Sequence, residues 1–360
     1  VRRLTSARPP KILIDARRYG IGGIGVYIKN LLDGLLSYFH EETVLPEVII
    51  SSSQETIFRV RYPYPLHVSP VTLYSFKEIL SLGNLQYDIF HSPHFTLPLN
   101  LKGKLVVTLH DLIYFSHPPK FYHRALIFPH LYNVLYRATK IITVSEATKV
   151  KLEQFRSRFL SSNKTPIEVI PNAIKEIFLS NSSQDRKENF FLSVFSNLKP
   201  HRGFNQLLAS YEALIKAFGE AVPRLKLVGM GVSGLTKKDV KEISFVDIIG
   251  EVDDLTLKSY YQKARALVIA SQIEGFYLPA IEAHACGTPI ISTPEPAIME
   301  LKEEGDFFAK TFSADDLFNA MRAFLLHVKP FEVSVDALRR FRLARVTSQT
   351  VKTYLDLHCN

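Results

Sequence analysis

The sequence predicts an α/β protein made of two doubly wound domains, and three observations carry that prediction. At 360 residues the chain exceeds the size at which a single hydrophobic core usually stops growing. In both halves, short β-branched runs alternate with helical apolar stripes, the pattern of parallel sheets covered by helices. Between the halves, Leu179 to Asn189 is rich in Ser, Asn and charge, has almost nothing to bury, and reads as a linker. The domains are therefore set at 1–178 and 179–344.

Taken in order, Lys11 to Asp15, Leu45 to Ser51, Asp88 to His91, Lys104 to His110, Lys140 to Val144 and Ile167 to Ile170 read as strands of the first domain. Val26 to Tyr38 carries apolar residues at Val26, Ile28, Leu31, Leu32, Leu35 and Leu36, a helical stripe, and Ala147 to Phe159 is a second helix. After the linker, strands are predicted at Phe190 to Phe195, Arg224 to Val228, Phe245 to Ile249, Ala266 to Ala270 and Pro289 to Ser292, with helices starting near Phe204, Thr256 and Leu278. Pro279 is compatible with the last of these, because a first-turn N–H has no helical partner to lose. Ligands of doubly wound sheets bind beyond the carboxyl ends of the strands.

The composition, 46% hydrophobic and 22% charged, is that of a globular chain. No apolar stretch approaches the roughly 18 residues that span a bilayer, and Val1 to Pro10 lacks the apolar centre of a signal peptide, so a cytoplasmic protein is expected. Two cysteines, Cys286 and Cys359, are too few for a disulfide framework and suit a reducing compartment. Residues 1–178 hold 22 Lys+Arg against 13 Asp+Glu, and residues 179–360 hold 22 against 22, so the net charge of +9 belongs to the first half. A basic face suits an anionic partner such as a membrane surface or a lipid-linked phosphate, or is merely a soluble surface. Charge alone would also suit nucleic acid, but no nucleic-acid module is present and no such partner is expected.

Glu274 and Glu282 stand eight positions apart, spanning a Gly-bearing loop, a proline and the first turn of the helix from Leu278. A helix start can hold a pyrophosphate on its free N–H groups, and a carboxylate one turn in can accept hydrogen bonds from the vicinal hydroxyls of a ribose. A structural capping role would use the same residue types. Gly20, Gly22, Gly23 and Gly25 follow the first strand and open a helix, where glycines let a backbone approach a phosphate. Their spacing also matches a dinucleotide fingerprint, but the loop from Asp15 is too long for that turn. His110, at the end of a strand, faces the expected site or is a buried structural histidine. Arg202, in Asn197 to Gly203, lies where a cation would meet a leaving phosphate. No Asp-x-Asp pair and no zinc-spaced His/Cys cluster occurs, so neither metal nor cofactor is expected. Arg202 and helix-terminal N–H groups would then stabilise the leaving diphosphate.

Glu274 to Pro279, Glu282-Ala283 and Ala285 to Pro289 resemble the signature of the large family-4 group of retaining glycosyltransferases. Ile12 to Arg17 with Gly22 to Tyr27 resembles the opening of its bacterial mannosyltransferase-like members. The resemblance implies the GT-B architecture, two facing Rossmann-like domains with a cleft between them, in which a terminal helix, about 345–360, crosses back to the first domain. It implies a metal-independent hexosyltransferase that retains anomeric configuration, with Glu274, Arg202 and His110 at the reacting centre. Glu282, Gly275, Phe276, Tyr277, Leu278, Lys199, Val252 and Gly229 would surround the donor, and Gly22, Gly23 and Tyr27 would meet donor phosphate or acceptor. Three positions depart from the family pattern. Arg202 stands where relatives usually carry lysine, keeping the charge and adding a bidentate fork. Asn197 stands where many relatives have arginine, and Tyr277 replaces a glycine, putting a phenol beside the donor sugar. The expected partners are a GDP- or UDP-linked sugar, with GDP-mannose favoured by the N-terminal resemblance, and a glycan or lipid-linked acceptor of surface polysaccharide synthesis.

The aromatic and cationic stretch His117 to Lys140 would cradle that acceptor or touch the inner face of a membrane, or would pack Leu126, Phe128, Leu131 and Leu135 as an ordinary helix. A sugar-phosphate synthase, a nucleotide-sugar hydrolase and a non-catalytic sugar-nucleotide-binding subunit are the alternatives on the same fold.

Overall fold

The computed structural model describes residues 9–39, 45–71, 73, 85–116, 121–160, 164–180, 186–240, 242–327, 331 and 335–359. The chain divides into two compact units, residues 1–173 with 343–360, and residues 174–342.

The first unit runs β1 (Ile12–Asp15), α1 (Gly22–Tyr38), β2 (Glu47–Ser51), α2 (Glu55–Arg61), β3 (Leu66–Ser69), β4 (Ile89–Ser92), β5 (Lys104–Leu109), α3 (Ile113–Ser116), α4 (Phe121–Arg137), β6 (Lys140–Thr143), α5 (Glu146–Phe159) and β7 (Ile167–Val169). Its sheet has the order β3-β2-β1-β4-β5-β6-β7 with every pair parallel; Ile14 lies opposite Val48, and Leu13 opposite Phe90. One face packs on α1 through Ile28, Leu31, Leu32 and Leu35, the other on α4 and α5 through Leu131, Leu135, Leu152 and Phe155. Ser145 caps α5 by accepting from the Thr148 N–H at 3.1 Å.

The second unit runs α6 (Glu176–Leu179), β8 (Phe190–Val194), α7 (Phe204–Phe218), β9 (Arg224–Val228), β10 (Val246–Gly250), α8 (Asp254–Lys263), β11 (Ala266–Ile269), α9 (Leu278–Ala285), β12 (Ile290–Ser292), α10 (Pro296–Met299), β13 (Phe307–Phe308), α11 (Ala314–Leu326) and α12 (Val335–Arg339). Its parallel sheet has the order β10-β9-β8-β11-β12-β13. Leu207, Leu208, Tyr211 and Leu214 of α7 cover one face, and Tyr261, Ala280 and Ile281 of α8 and α9 the other. The chain then returns to the first unit as α13 (Leu343–Cys359), whose buried Val346, Val351 and Tyr354 join the α1 core. A Cβ on Gly34 of α1 would sit 1.9 Å from Thr347 Oγ1, so that glycine is what lets α13 approach so closely.

The eleven strands read from the sequence are all present. Strand β3 escapes sequence reading because it is a short, half-exposed edge between Pro65 and Pro70, and β13 because it has two residues. Helix α2 buries only Phe58, too little for a periodic signal. The passage between units comes at 173/174, ahead of the polar stretch. Ile174 and Phe178 are already core residues of the second unit, and the Ile174 N–H donates to the Phe341 carbonyl at 2.9 Å. Within the stretch read as a linker, residues 181–185 lie outside the described residues.

Candidate functional site

In the second sheet the strand order reverses between β8 and β11, and the loops leaving those two strands flank the switch point. The loop after β8 closes in a tight turn at Pro200 to Arg202, and Gly203 then takes φ +69°. A Cβ there would lie 2.0 Å from the Ala270 carbonyl oxygen at the end of β11, so the two loops meet backbone to backbone. The Gln272 N–H donates to the His201 carbonyl at 2.8 Å and reinforces the contact.

This juncture brings Arg202 to Glu274. The Arg202 Nη1 donates to Glu274 Oε1; the arginine side chain is 20% exposed and the glutamate 4%. Arg202 Nε is buried and has no hydrogen-bond partner among the described residues. A guanidinium satisfied on one edge only is a ready receptor for a phosphate oxygen. Lys199 is exposed on the same loop. Asn197 is a brace, its Oδ1 accepting from the Lys199 N–H at 3.2 Å.

Two neighbouring strand ends are knitted into this floor. Gly229, at φ +113°, would place a Cβ 2.4 Å from the Phe195 carbonyl oxygen, and Gly231 one 2.5 Å from the Asn197 nitrogen. The Gly229 N–H donates to the Gly250 carbonyl at 2.7 Å, and Ser233 Oγ accepts from the Glu251 N–H at 2.9 Å. Both glycines permit loop-to-loop contact, and Val252 is half-buried in the core beneath.

Helix α9 begins at Leu278 without a side-chain cap. It offers fewer donors than the sequence suggests, since Pro279 has no N–H and the Ala280 N–H already donates to the Tyr277 carbonyl at 3.1 Å. Gly275 is buried, and Phe276 is half-buried with its ring edge-on to Phe341 at 5.9 Å. The expectation for Tyr277 is corrected: its phenol is 5% exposed, lies in the core and donates to the Val194 carbonyl at 3.2 Å. Its bulk fills the interior below α9, where an apolar ring is worth more than in water. Glu282, one turn into α9, is 9% exposed and accepts a hydrogen bond from the Tyr261 hydroxyl at 3.0 Å. Burial raises its pKa to about 7 against the lowering effect of that bond. Cys286 is half-buried, and burial pushes its thiol up to about 12.

In the first sheet the reversal falls between β1 and β4, and a buried polar cluster sits at their ends. Arg17 Nε and Nη2 donate to the two oxygens of Asp15 at 2.9 and 2.6 Å, and His94 Nε2 lies 3.3 Å from Asp15 Oδ2. Burial alone would raise the Asp15 pKa, but His94 and Arg17 outweigh it and hold the carboxyl well below its ordinary value. Next to this cluster, His91 bridges Tyr354 of α13 (2.5 Å from Nδ1) and Thr108 of β5 (2.8 Å from Nε2). Thr108 lies 3.0 Å from the Tyr27 hydroxyl, and the Tyr27 ring meets the His110 ring edge-on at 4.7 Å. Tyr27 is therefore a buried support for His110 rather than a ligand contact, which corrects its place in the glycine loop. Gly22 and Gly23 are exposed, and a Cβ on either would meet nothing within 4 Å. Gly25 is structural, because its Cβ would come 2.9 Å from Arg18 and Gly20 backbone atoms.

His110 is only partly exposed, and burial lowers its pKa to about 4. Its Nε2 lies 3.2 Å from the Pro93 carbonyl, so the neutral ring donates there and leaves Nδ1 as an acceptor. A plot of kcat against pH is accordingly expected to show no limb from His110 near the ordinary imidazole value of 6.5. A His110→Gln variant that abolishes a limb at that pH would contradict the assignment.

Sequence reasoning missed the Asp15–Arg17–His94 cluster, the His91–Tyr354 contact and Tyr261. An acid and a base two residues apart at a strand end signal the first; nothing in the sequence signals the other two. Of the aromatic stretch, residues 117–120 and the side chains of 121–126, Leu126 among them, lie outside the described residues, while Leu131 and Leu135 pack into the core with Phe128 half-buried against it. On the adjoining face of α4, Tyr132 and Tyr136 are exposed, and their rings stack at 6.3 Å. Among the described residues no helix is long and apolar enough to cross a membrane.

Residues 175–330 match the family described as Glycosyl transferases group 1, and residues 21–176 match Glycosyltransferase Family 4. The O-antigen chain mannosyltransferase RfbU of Salmonella typhimurium is 27% identical over 306 residues, covering 82% of this chain and 78% of its own. The O-antigen chain mannosyltransferase B of Escherichia coli is 23% identical over 374 residues, covering 94% and 97%. The solved structure of Anabaena HepE in complex with UDP-glucose superposes with a TM-score of 0.71 at 17% identity, covering 97% of this chain and 100% of that one, and shows the same GT-B fold.

Proposed function

Since the chain belongs to the family 4 glycosyltransferases, we propose that it moves a hexose from a nucleotide-diphosphate sugar to a glycan or lipid-linked acceptor, with retention of configuration and without a metal. The observation that carries this reading is the placement of Arg202 and Glu274 on the two loops flanking the switch point of the second sheet. Arg202, joined by Lys199, takes the diphosphate. The Leu278 N–H, at a helix start with no side-chain cap, adds a neutral donor. Glu282 holds the ribose, and the backbone around Gly229, Gly231 and Val252 encloses the base. Glu274 orients the sugar hydroxyls, and its bond to Arg202 ties sugar position to phosphate position.

In the reaction the bond between the anomeric carbon and the diphosphate oxygen breaks, and the acceptor hydroxyl bonds to the same face of that carbon. The departing phosphate oxygen takes the acceptor proton. Arg202 stabilises the negative charge that accumulates on the diphosphate, an electrostatic contribution that grows towards the transition state. His110, neutral, accepts a hydrogen bond from an acceptor hydroxyl through Nδ1. The mannosyltransferase names of the two relatives support mannose as the sugar; GDP-mannose is the donor we favour, and the UDP-glucose bound to HepE keeps UDP-sugars as the second choice. A peripheral membrane contact is supported by exposed Tyr132 and Tyr136 on the more basic half of the chain.

The test is nucleoside diphosphate release from GDP-mannose and a panel of UDP-sugars. Release is expected to rise on adding a glycan or lipid-linked acceptor, to survive a chelator, to increase on anionic vesicles, and to give a product of unchanged anomeric configuration. Binding without release for every acceptor would replace the enzyme by a sugar-nucleotide-binding subunit. Loss of activity in chelator would remove the metal-independent mechanism.

A further inference from the structure

We propose that Tyr261 is a positioning residue for nucleotide recognition, its buried phenol fixing the Glu282 carboxylate so that one oxygen is held by the protein and the other is kept for the ribose hydroxyls of a nucleoside diphosphate. This rests on the reading of the second unit given above.

The geometry is asymmetric. Tyr261 is fully buried on α8, and its hydroxyl donates to Glu282 Oε2 at 3.0 Å, while Oε1 accepts no hydrogen bond from any described residue. The phenol has little freedom. Its ring meets Phe178 edge-on at 5.9 Å, and Thr288 Oγ1 donates to the Tyr261 carbonyl, tying α8 to the start of β12. At the other end of α8, Asp253 caps the Thr256 N–H at 2.7 Å and Lys175 Nζ holds Asp254 at 2.6 Å. The donor to Oε2 is therefore preset, and binding has no rotamer of Glu282 left to organise.

A buried carboxylate with a single hydrogen bond is short of partners, and burial holds Glu282 near pH 7. The charged and titratable groups around it divide. Lys175 favours the carboxylate and Asp254 opposes it; the hydroxyls of Tyr261 and Tyr277 and the Cys286 thiol are neutral, and Lys258 and Lys187 act on Cys286. In the free protein the group is thus divided between acid and carboxylate at neutral pH. Vicinal hydroxyls donate more strongly to the carboxylate than to the acid, which keeps less acceptor capacity, so nucleotide binding favours proton release. Affinity then falls about tenfold for each pH unit below the midpoint. Removing the Tyr261 hydroxyl withdraws the one donor that favours the carboxylate and moves the midpoint to higher pH.

The experiment is calorimetric titration of the full chain with UDP and with GDP from about pH 5 to about pH 9, in buffers of different ionisation enthalpy, repeated with the 2′,3′-dideoxy nucleotides. Both forms share the ionisation of the terminal phosphate at about pH 6; beyond it, wild type is expected to bind the ribonucleotide with a further limb near pH 7 and proton release, and the dideoxy form weakly with the phosphate limb alone. Tyr261→Phe, checked by its melting temperature, should shift the midpoint upward and narrow the preference for the ribonucleotide. Glu282→Gln should keep the phosphate limb and lose the one near pH 7, an arm that stands even if Tyr261→Phe is poorly folded. A Tyr261→Phe profile that overlays wild type, or an identical limb near pH 7 for the dideoxy nucleotide, would overturn the proposal. Absence of UDP and GDP binding at every pH would instead remove the functional reading, and this inference with it.

Discussion

Arg202→Ala is expected to lower kcat for sugar transfer by about 10²–10³-fold, the usual consequence of removing one preorganised donor from a developing oxyanion. The guanidinium is bonded to Glu274 through Nη1 and has its Nε buried without a partner among the described residues, which leaves that donor for a ligand. Charge builds on the leaving diphosphate as the glycosidic bond lengthens, so the loss should fall on kcat more than on KM. Truncation also strands the buried Glu274 carboxylate, and a melting curve must accompany the kinetics. Arg202→Lys separates the two effects, since it keeps the charge and gives up the fork. It should recover most of the rate. If Arg202→Ala turns over donor and acceptor as fast as wild type, the diphosphate is held elsewhere.

Gly203→Ala should destabilise the protein by about 2–4 kcal/mol, combining the strain of a left-handed alanine with forced separation of two loops. The residue sits at φ +69° and its added methyl would fall 2.0 Å from a backbone oxygen of Ala270, which no rotamer change can relieve. Gly234 supplies the comparison. At φ +88° with open space around its Cβ, it should cost about 1–2 kcal/mol as alanine, the conformational part alone. Urea denaturation of the two variants measures the difference. Because Gly203 follows Arg202 directly, its alanine variant should also misplace the guanidinium and slow transfer; equal stability of the two variants would contradict the close loop contact.

Much of the fold was legible because both sheets are buried on both faces, which turns strands such as Ile12–Asp15 and Phe190–Val194 into continuous apolar runs. Elements escaped where burial is partial or brief: β3 on an edge, β13 with two residues, α2 with Phe58 as its one buried side chain. The positions of Arg202, Glu274 and Glu282 relative to strand ends and a helix start could be read from motif spacing. Where their side chains turn could not. Tyr277 stands in the middle of the motif yet points into the core, because the Val194 carbonyl offers its hydroxyl a partner there. Tyr261 reads as an ordinary helix residue, since its partner is 21 positions away. Gly229 and Gly231 look like ligand-facing glycines, although their lack of a Cβ is required by the loop at Phe195 and Asn197.

The most direct test of the central claim, that the second unit is the nucleotide-sugar site, is equilibrium binding of UDP and GDP to wild type, Arg202→Ala and Glu282→Ala. The account predicts that wild type binds at least one of the two, and that both variants lose at least tenfold in affinity, about 1.4 kcal/mol, while remaining folded. Equal binding by all three proteins would contradict it.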